Sequence, residues 1–281
     1  MKKQFAILTV LILLVAMLAA CGGNKENGNT AGGGASEQKK SLKIGATAGP
    51  YSDMVSKAIK PLMEEKGYKI EVVEFNDYVQ PNKSLDNGSI DANLFQHIIY
   101  LKKFSEDNKL DLSSVISVPT APMGLYSNKF KSIDEIKDGS SLTIANDPAN
   151  LARSLLLLQD LGLVTIKADA EPTKISEKDI ATNPKNLKIT TLEAAQLPRT
   201  LDSSDLSVVA GNFALAAGMD LTKAMQLENM AENYRNVVAV RTKDTDAQFA
   251  KDLKEVIESD AFEKTIDEQF QGFSKPEWMS K

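Results

Sequence analysis

From Ser41 onward, short apolar runs alternate with segments of helical period, and this alternation restricts the chain more than any other feature. "LKIGAT" (42–47) reads as a strand, and Asp53–Lys66 as a helix with Met54, Val55, Ala58, Ile59, Leu62 and Met63 on one face. "KIEVVEF" (69–75) is a strand, 77–88 a helix with Pro81 in its first turn, and "IDANLF" (90–95) a further strand before a helix from about Ile98 to Asn108. "VISVPTAPMGLYS" (115–127) is extended because of its two prolines. After the strand "SLTIAND" (141–147), Asp147 and Pro148 open a helix as N-cap and first helical residue, and Gly162 ends it. Residues 186–193, 205–211 and 233–241 read as strands, and the tail Asp246–Phe270 as helical. Such βαβ alternation calls for sheets covered by helices on both faces, an α/β fold.

The N-terminus has a different character. Lys2 and Lys3 precede an uncharged apolar run, Phe5–Ala20, of 16 residues. A basic start, a run shorter than the ~20 residues of a membrane-spanning helix, and small residues at its end describe a secretory signal over 1–20. It ends Leu-Ala-Ala-Cys21-Gly, which resembles a bacterial lipobox with Cys21 as the lipidated first mature residue. Stable anchoring takes two or more acyl chains, as a diacylglyceryl cysteine supplies. Residues 21–40 contain no large apolar side chain and read as a flexible linker spanning on the order of 25 Å.

Cys21 is the only cysteine and His97 the only histidine, so the folded part has no disulfide, thiol nucleophile or Cys/His zinc site, and no metal or cofactor is expected. Loss of Lys2 and Lys3 with the signal takes the formal net charge from −5 to −7, which argues against nucleic acid as partner. No GxSxG, Walker loop, HExxH or dinucleotide fingerprint occurs, although pairs of Asp, Glu, Ser or Lys leave an enzyme open. The 261 residues after the signal are long for one core and suit two lobes. We place lobe I at 41–122 and 240–281 and lobe II at 123–239, with extended crossings at Pro122–Ser127 and near Arg235–Val240, and the C-terminal helical tail packed on lobe I.

Two groups of side chains stand out as a candidate site. His97 lies among Phe95 and Tyr100 where a strand gives way to a helix, a position equally suited to a core imidazole and to a small-molecule pocket. Asn150 and Arg153, three apart, share a face near the positive end of the helix that Pro148 opens. A guanidinium there can hold a ligand carboxylate through two parallel bonds, or pair with a neighbouring acid. Spacing does not separate the two.

A series of blocks goes further. "DYVQPN" (77–82), "DANLFQH" (91–97), "NDPANLAR" (146–153), "NPKNLKI" (183–189), "EAAQLPR" (193–199), "GNFALAAG" (211–218) and "YRNVVAVR" (234–241) occur in order. With the lipobox, they resemble the NlpA family of methionine-binding lipoproteins that serve ABC importers, over nearly the whole mature chain. The resemblance implies a type II periplasmic-binding-protein fold, two α/β lobes with a ligand cleft between them, and no catalysis. It implies L-methionine as ligand, an ABC permease and its ATPase as partners, and a lipid-anchored, extracytoplasmic location at the cell membrane. It implies ligand contacts from Tyr78, Phe95, His97, Tyr100, Asn150, Arg153 and Asn236. In two places the chain departs from the family. Ala210 stands where the family usually has an asparagine, with Asn212 as a candidate substitute, and Tyr51 replaces a common histidine. Another amino acid and a methionine-containing dipeptide are the ligands those departures leave open; separately, a tethered acidic domain could serve an adhesive surface role.

Overall fold

A computed structural model describes residues 39–279. The signal, Cys21 and nearly all of the linker lie outside the described residues.

Five strands form the first sheet: β1 (Ser41–Thr47), β2 (Lys69–Phe75), β3 (Ala92–His97), β4 (Leu112–Val118) and β12 (Asn236–Arg241), in the order β2-β1-β3-β12-β4. β1 runs parallel to β2 and β3, whereas β12 runs antiparallel to β3 and β4. The second sheet holds β5 (Gly124–Tyr126), β6 (Ser141–Ala145), β9 (Lys188–Leu192), β10 (Leu206–Val209) and β11 (Gln226–Leu227), in the order β11-β5-β10-β6-β9. A small antiparallel pair, β7 (Thr165–Ile166) with β8 (Ile180–Thr182), stands apart.

Each large sheet has its own core. Leu42, Ile44 and Leu94 of the first pack on Met54, Ile59 and Met63, and on Phe249, Leu253, Phe262 and Ile266 of the tail. Leu142, Ile144 and Val208 of the second pack on Leu151, Leu155 and Leu158 of the Pro148–Asp160 helix. Four differences from the sequence reading have physical causes. The first helix begins at Pro50, which takes the first helical position after Gly49, and contains a π-helical stretch, Val55–Ile59. The tail is two helices, Gln248–Ile257 and Asp260–Gln269, the second newly capped by the Ser259 hydroxyl. The strand after "ID" starts at Ala92 and runs on to His97. Finally, Asn236–Ala239, assigned above to lobe II, pair with His97, Gln96, Leu94 and Asn93 and so lie in the first sheet. A strand apolar on both faces fits the middle of either sheet, so its pattern could not say which.

The chain therefore passes between sheets twice, over 119–123 and over 228–235. Gly211 lies against the first passage. A Cβ there would fall 2.5 Å from the Pro122 carbonyl oxygen and 2.7 Å from the Ala121 Cβ. Gly211→Ala should accordingly cost about 1–3 kcal/mol through overpacking, read as a lower urea midpoint at unchanged slope. An unchanged midpoint would show that the passage yields freely.

Candidate functional site

The eight candidate residues line one cleft between the two sheets. Tyr78, Phe95, His97, Tyr100 and Asn236 come from the side of the first sheet, and Asn150, Arg153 and Asn212 from that of the second. About 320 Å³ of free space, the open mouth included, lies between these side chains.

His97 is the last residue of β3 and also the N-cap of the Ile98–Asn108 helix. Its Nδ1 accepts from the Tyr100 backbone N–H at 3.2 Å, which puts the ring proton on Nε2. Nε2 then donates to Asn150 Oδ1 at 3.2 Å. The Asn150 amide nitrogen in turn donates to both Asp147 oxygens, at 3.1 and 3.0 Å, while Asp147 caps the helix through the Asn150 N–H at 2.9 Å. This chain of bonds joins the two sides of the cleft. Burial, reinforced by the Arg153 charge, lowers the His97 pKa from its ordinary 6.5 to about 3. Burial also raises that of Asp147, against the hydrogen bonds from Asn150.

Arg153 is bound to an acid that its spacing could not name. Its Nε donates to Glu228 Oε2 at 2.9 Å and its Nη2 to Oε1, both side chains being under a tenth exposed. Glu228 Oε1 also accepts from the Met123 N–H at 2.6 Å, at the first passage between sheets. The Tyr234 ring lies 4.9 Å from the guanidinium carbon and 5.1 Å from the His97 ring. Arg153 thus serves a neighbouring carboxylate, while its Nη1 bonds no described residue and is left for the cleft it lines. Asn236 is similar: its backbone N–H donates to Thr120 Oγ1 at 2.7 Å, but its side-chain amide has no partner among the described residues.

The other end of the cleft is a cluster of rings. Tyr78 lies 5.7 Å from Phe95, 5.7 Å from Tyr100 and 4.8 Å, across the cleft, from Phe213. The Tyr78 hydroxyl donates to Asn212 Oδ1 at 2.6 Å, a second bond between the two sides, and the Tyr100 hydroxyl to the Tyr78 carbonyl at 2.8 Å. Ala210 is the N-cap of the Gly211–Ala216 helix, so Asn212 lies in that helix's first turn and not further along a strand. It reaches the cleft nonetheless. Tyr51 is wholly buried, and its hydroxyl accepts from the Ala121 N–H at 3.3 Å.

Sequence reasoning missed Glu228, Thr120, Gln96 and Gly211. Glu228 is one acid in the polar stretch "LENMAENY", 75 residues from Arg153, and nothing local marks it. Gln96 could have been suspected, since its amide joins Asn82 and Asn93 in a buried network beneath the cleft.

Two α/β lobes that close on a buried, partly unpaired polar cleft define a ligand-binding protein of the two-lobed periplasmic type. The model of the NlpA lipoprotein family matches residues 42–278, and the chain belongs to that family. The D-methionine-binding lipoprotein MetQ of Salmonella typhi is 39% identical over 242 residues, covering 84% of this chain and 88% of the relative. The MetQ of Escherichia coli K12 is 38% identical over 240 residues, with the same coverage. Among solved structures, a nutrient binding protein from Burkholderia cenocepacia bound to methionine has a TM-score of 0.78 at 42% identity, covering 82% of this chain and 97% of its own. A methionine binding protein, MetQ, has a TM-score of 0.80 at 37% identity, covering 85% and 98%.

The depressed His97 pKa sets a pH dependence. Between pH 6.5 and about 3 the unfolded chain binds this proton and the folded protein does not. The stability it contributes is complete above pH 6.5 and is lost as the pH falls. Between pH 6.5 and 5 the loss should be about 2 kcal/mol, and His97→Gln should lack it. Denaturant melts of both proteins at the two pH values measure the difference, and parallel losses would mean that His97 titrates normally.

Proposed function

We propose that this chain captures free methionine outside the cytoplasm and delivers it to an ABC importer, with no bond made or broken. The observation that carries the reading is the set of unpaired polar groups in a buried cleft. A free amino acid is a zwitterion with one distinguishing tail. Arg153 Nη1 suits its carboxylate, and the Asn236 amide oxygen its ammonium. Tyr78, Phe95 and Tyr100 suit a thioether, which packs well on ring edges. The methionine-binding relatives and the methionine-bound neighbour support the same choice of ligand. Bonds to charged groups at about 1.5–3 kcal/mol each, with a buried tail, can supply the ~8 kcal/mol of micromolar capture.

In this reading the closed lobes form the surface that the importer's permease recognises, and the transport energy comes from its ATPase. Acyl chains on Cys21 hold the protein at the membrane, with residues 21–40 as its leash.

Methionine at 100 times its dissociation constant adds ~2.7 kcal/mol of stability, so L- or D-methionine should raise the melting temperature by about 5–10 °C. A flat response to both, with a rise for another amino acid, would reassign the ligand. Arg153→Ala is the wrong probe of the site, because it leaves Glu228 buried without a counter-charge at a cost of about 3–5 kcal/mol. Asn236→Ala removes an amide that the protein does not use. It should weaken methionine binding roughly five- to tenfold in calorimetry while shifting stability by less than about 0.5 kcal/mol. Unchanged affinity would remove Asn236 from the site.

A further inference from the structure

We infer that Glu228 fixes the net charge of the ligand, making the cleft select a zwitterion over a monoanion with the same tail. The inference rests on the amino-acid reading above and adds a residue that does not line the cleft.

The side chains lining the cleft bring one formal charge, that of Arg153, since His97 is a neutral imidazole whose Nδ1 accepts a backbone bond. Directly behind Arg153, Glu228 cancels that charge through two bonds, with both side chains buried. The other nearby acid, Asp147, lies behind Asn150, which occupies its oxygens with the backbone N–H and the side-chain amide. A carboxylate entering the cleft therefore meets a guanidinium that is directional but already neutralised.

Ligands of different net charge fare differently there. A zwitterion carries its own compensating ammonium, so its binding adds no net charge to the cleft. A simple carboxylate adds an uncompensated negative charge to a buried site, which is strongly unfavourable. Without Glu228 the order changes, because a lone buried guanidinium is neutralised by an anion and not by a zwitterion. Glu228 also holds the Met123 N–H and orients Arg153. A purely orienting role predicts that its loss weakens every ligand alike, and the charge role predicts a change in preference.

The test is calorimetry on the mature chain with L-methionine and 4-(methylthio)butanoate, which keeps the thioether tail and the carboxylate but lacks the ammonium. The wild-type protein should prefer methionine by about 100-fold or more, the equivalent of two decades in dissociation constant. Glu228→Gln should shrink that ratio at least tenfold, with the anion binding more tightly than it does to the wild type. Glu228→Asp keeps the charge and should keep the ratio, even where both affinities fall. A wild-type ratio near one, an unchanged ratio in Glu228→Gln, or a collapsed ratio in Glu228→Asp would each overturn the inference; the Asp variant decides if the Gln variant does not fold. Should the wild type bind another amino acid instead of methionine, the ligand assignment fails, and that amino acid with its deaminated analogue puts the same question to Glu228.

Discussion

The Arg153–Glu228 pair is the interaction on which the cleft depends. A guanidinium under a tenth exposed keeps its charge in a protein interior, so the fold must offset its desolvation, and here a carboxylate takes two of its nitrogens. The pair also ties three distant parts of the chain together: the Pro148–Asp160 helix, the loop before β12, and the first passage between sheets at Met123. What is left of the guanidinium is Nη1, which bonds no described residue on a side chain that lines the cleft. Preorganisation of this kind reduces the ordering cost of capture.

Closure is the second constraint. Three bonds between neutral side chains join the two sides, Tyr78 to Asn212, Asn212 to Thr47 and His97 to Asn150, with the Tyr78–Phe213 ring contact beside the first. Gly49 makes the approach close elsewhere, since a Cβ there would lie 2.9 Å from the Ala216 Cβ and its φ of +95° favours glycine. Each contact is modest in net terms, at about 1 kcal/mol for a neutral hydrogen bond. A hinged protein needs that modesty, because a closed form held by its own contacts alone would gain little from a ligand.

Much of this was legible in the sequence, and the limits are physical. Helices announced by local chemistry were read closely: Asp147 and Pro148 open one and Gly162 follows its end, and Ile98–Asn108 has the bounds expected. All eight candidate residues line one cleft; local sequence had joined only His97 to Phe95 and Tyr100, and Asn150 to Arg153, and it was the resemblance that put these two groups into one site. Long-range pairing was not legible. Nothing in "NVVAVR" tells which sheet receives it, and nothing near Glu228 tells that its partner lies 75 residues earlier. Asn212 was named only as a substitute for the asparagine missing at 210, and a helix begun at Gly211 is what brings it to the cleft.

A crystal structure of the mature protein with methionine bound tests the central claim most directly. Density should place the carboxylate at Arg153 Nη1, the ammonium near Asn236, and the thioether among Tyr78, Phe95 and Tyr100, with the Glu228 pair intact behind. A ligand seated elsewhere, or a carboxylate that displaces Glu228 from Arg153, would contradict it.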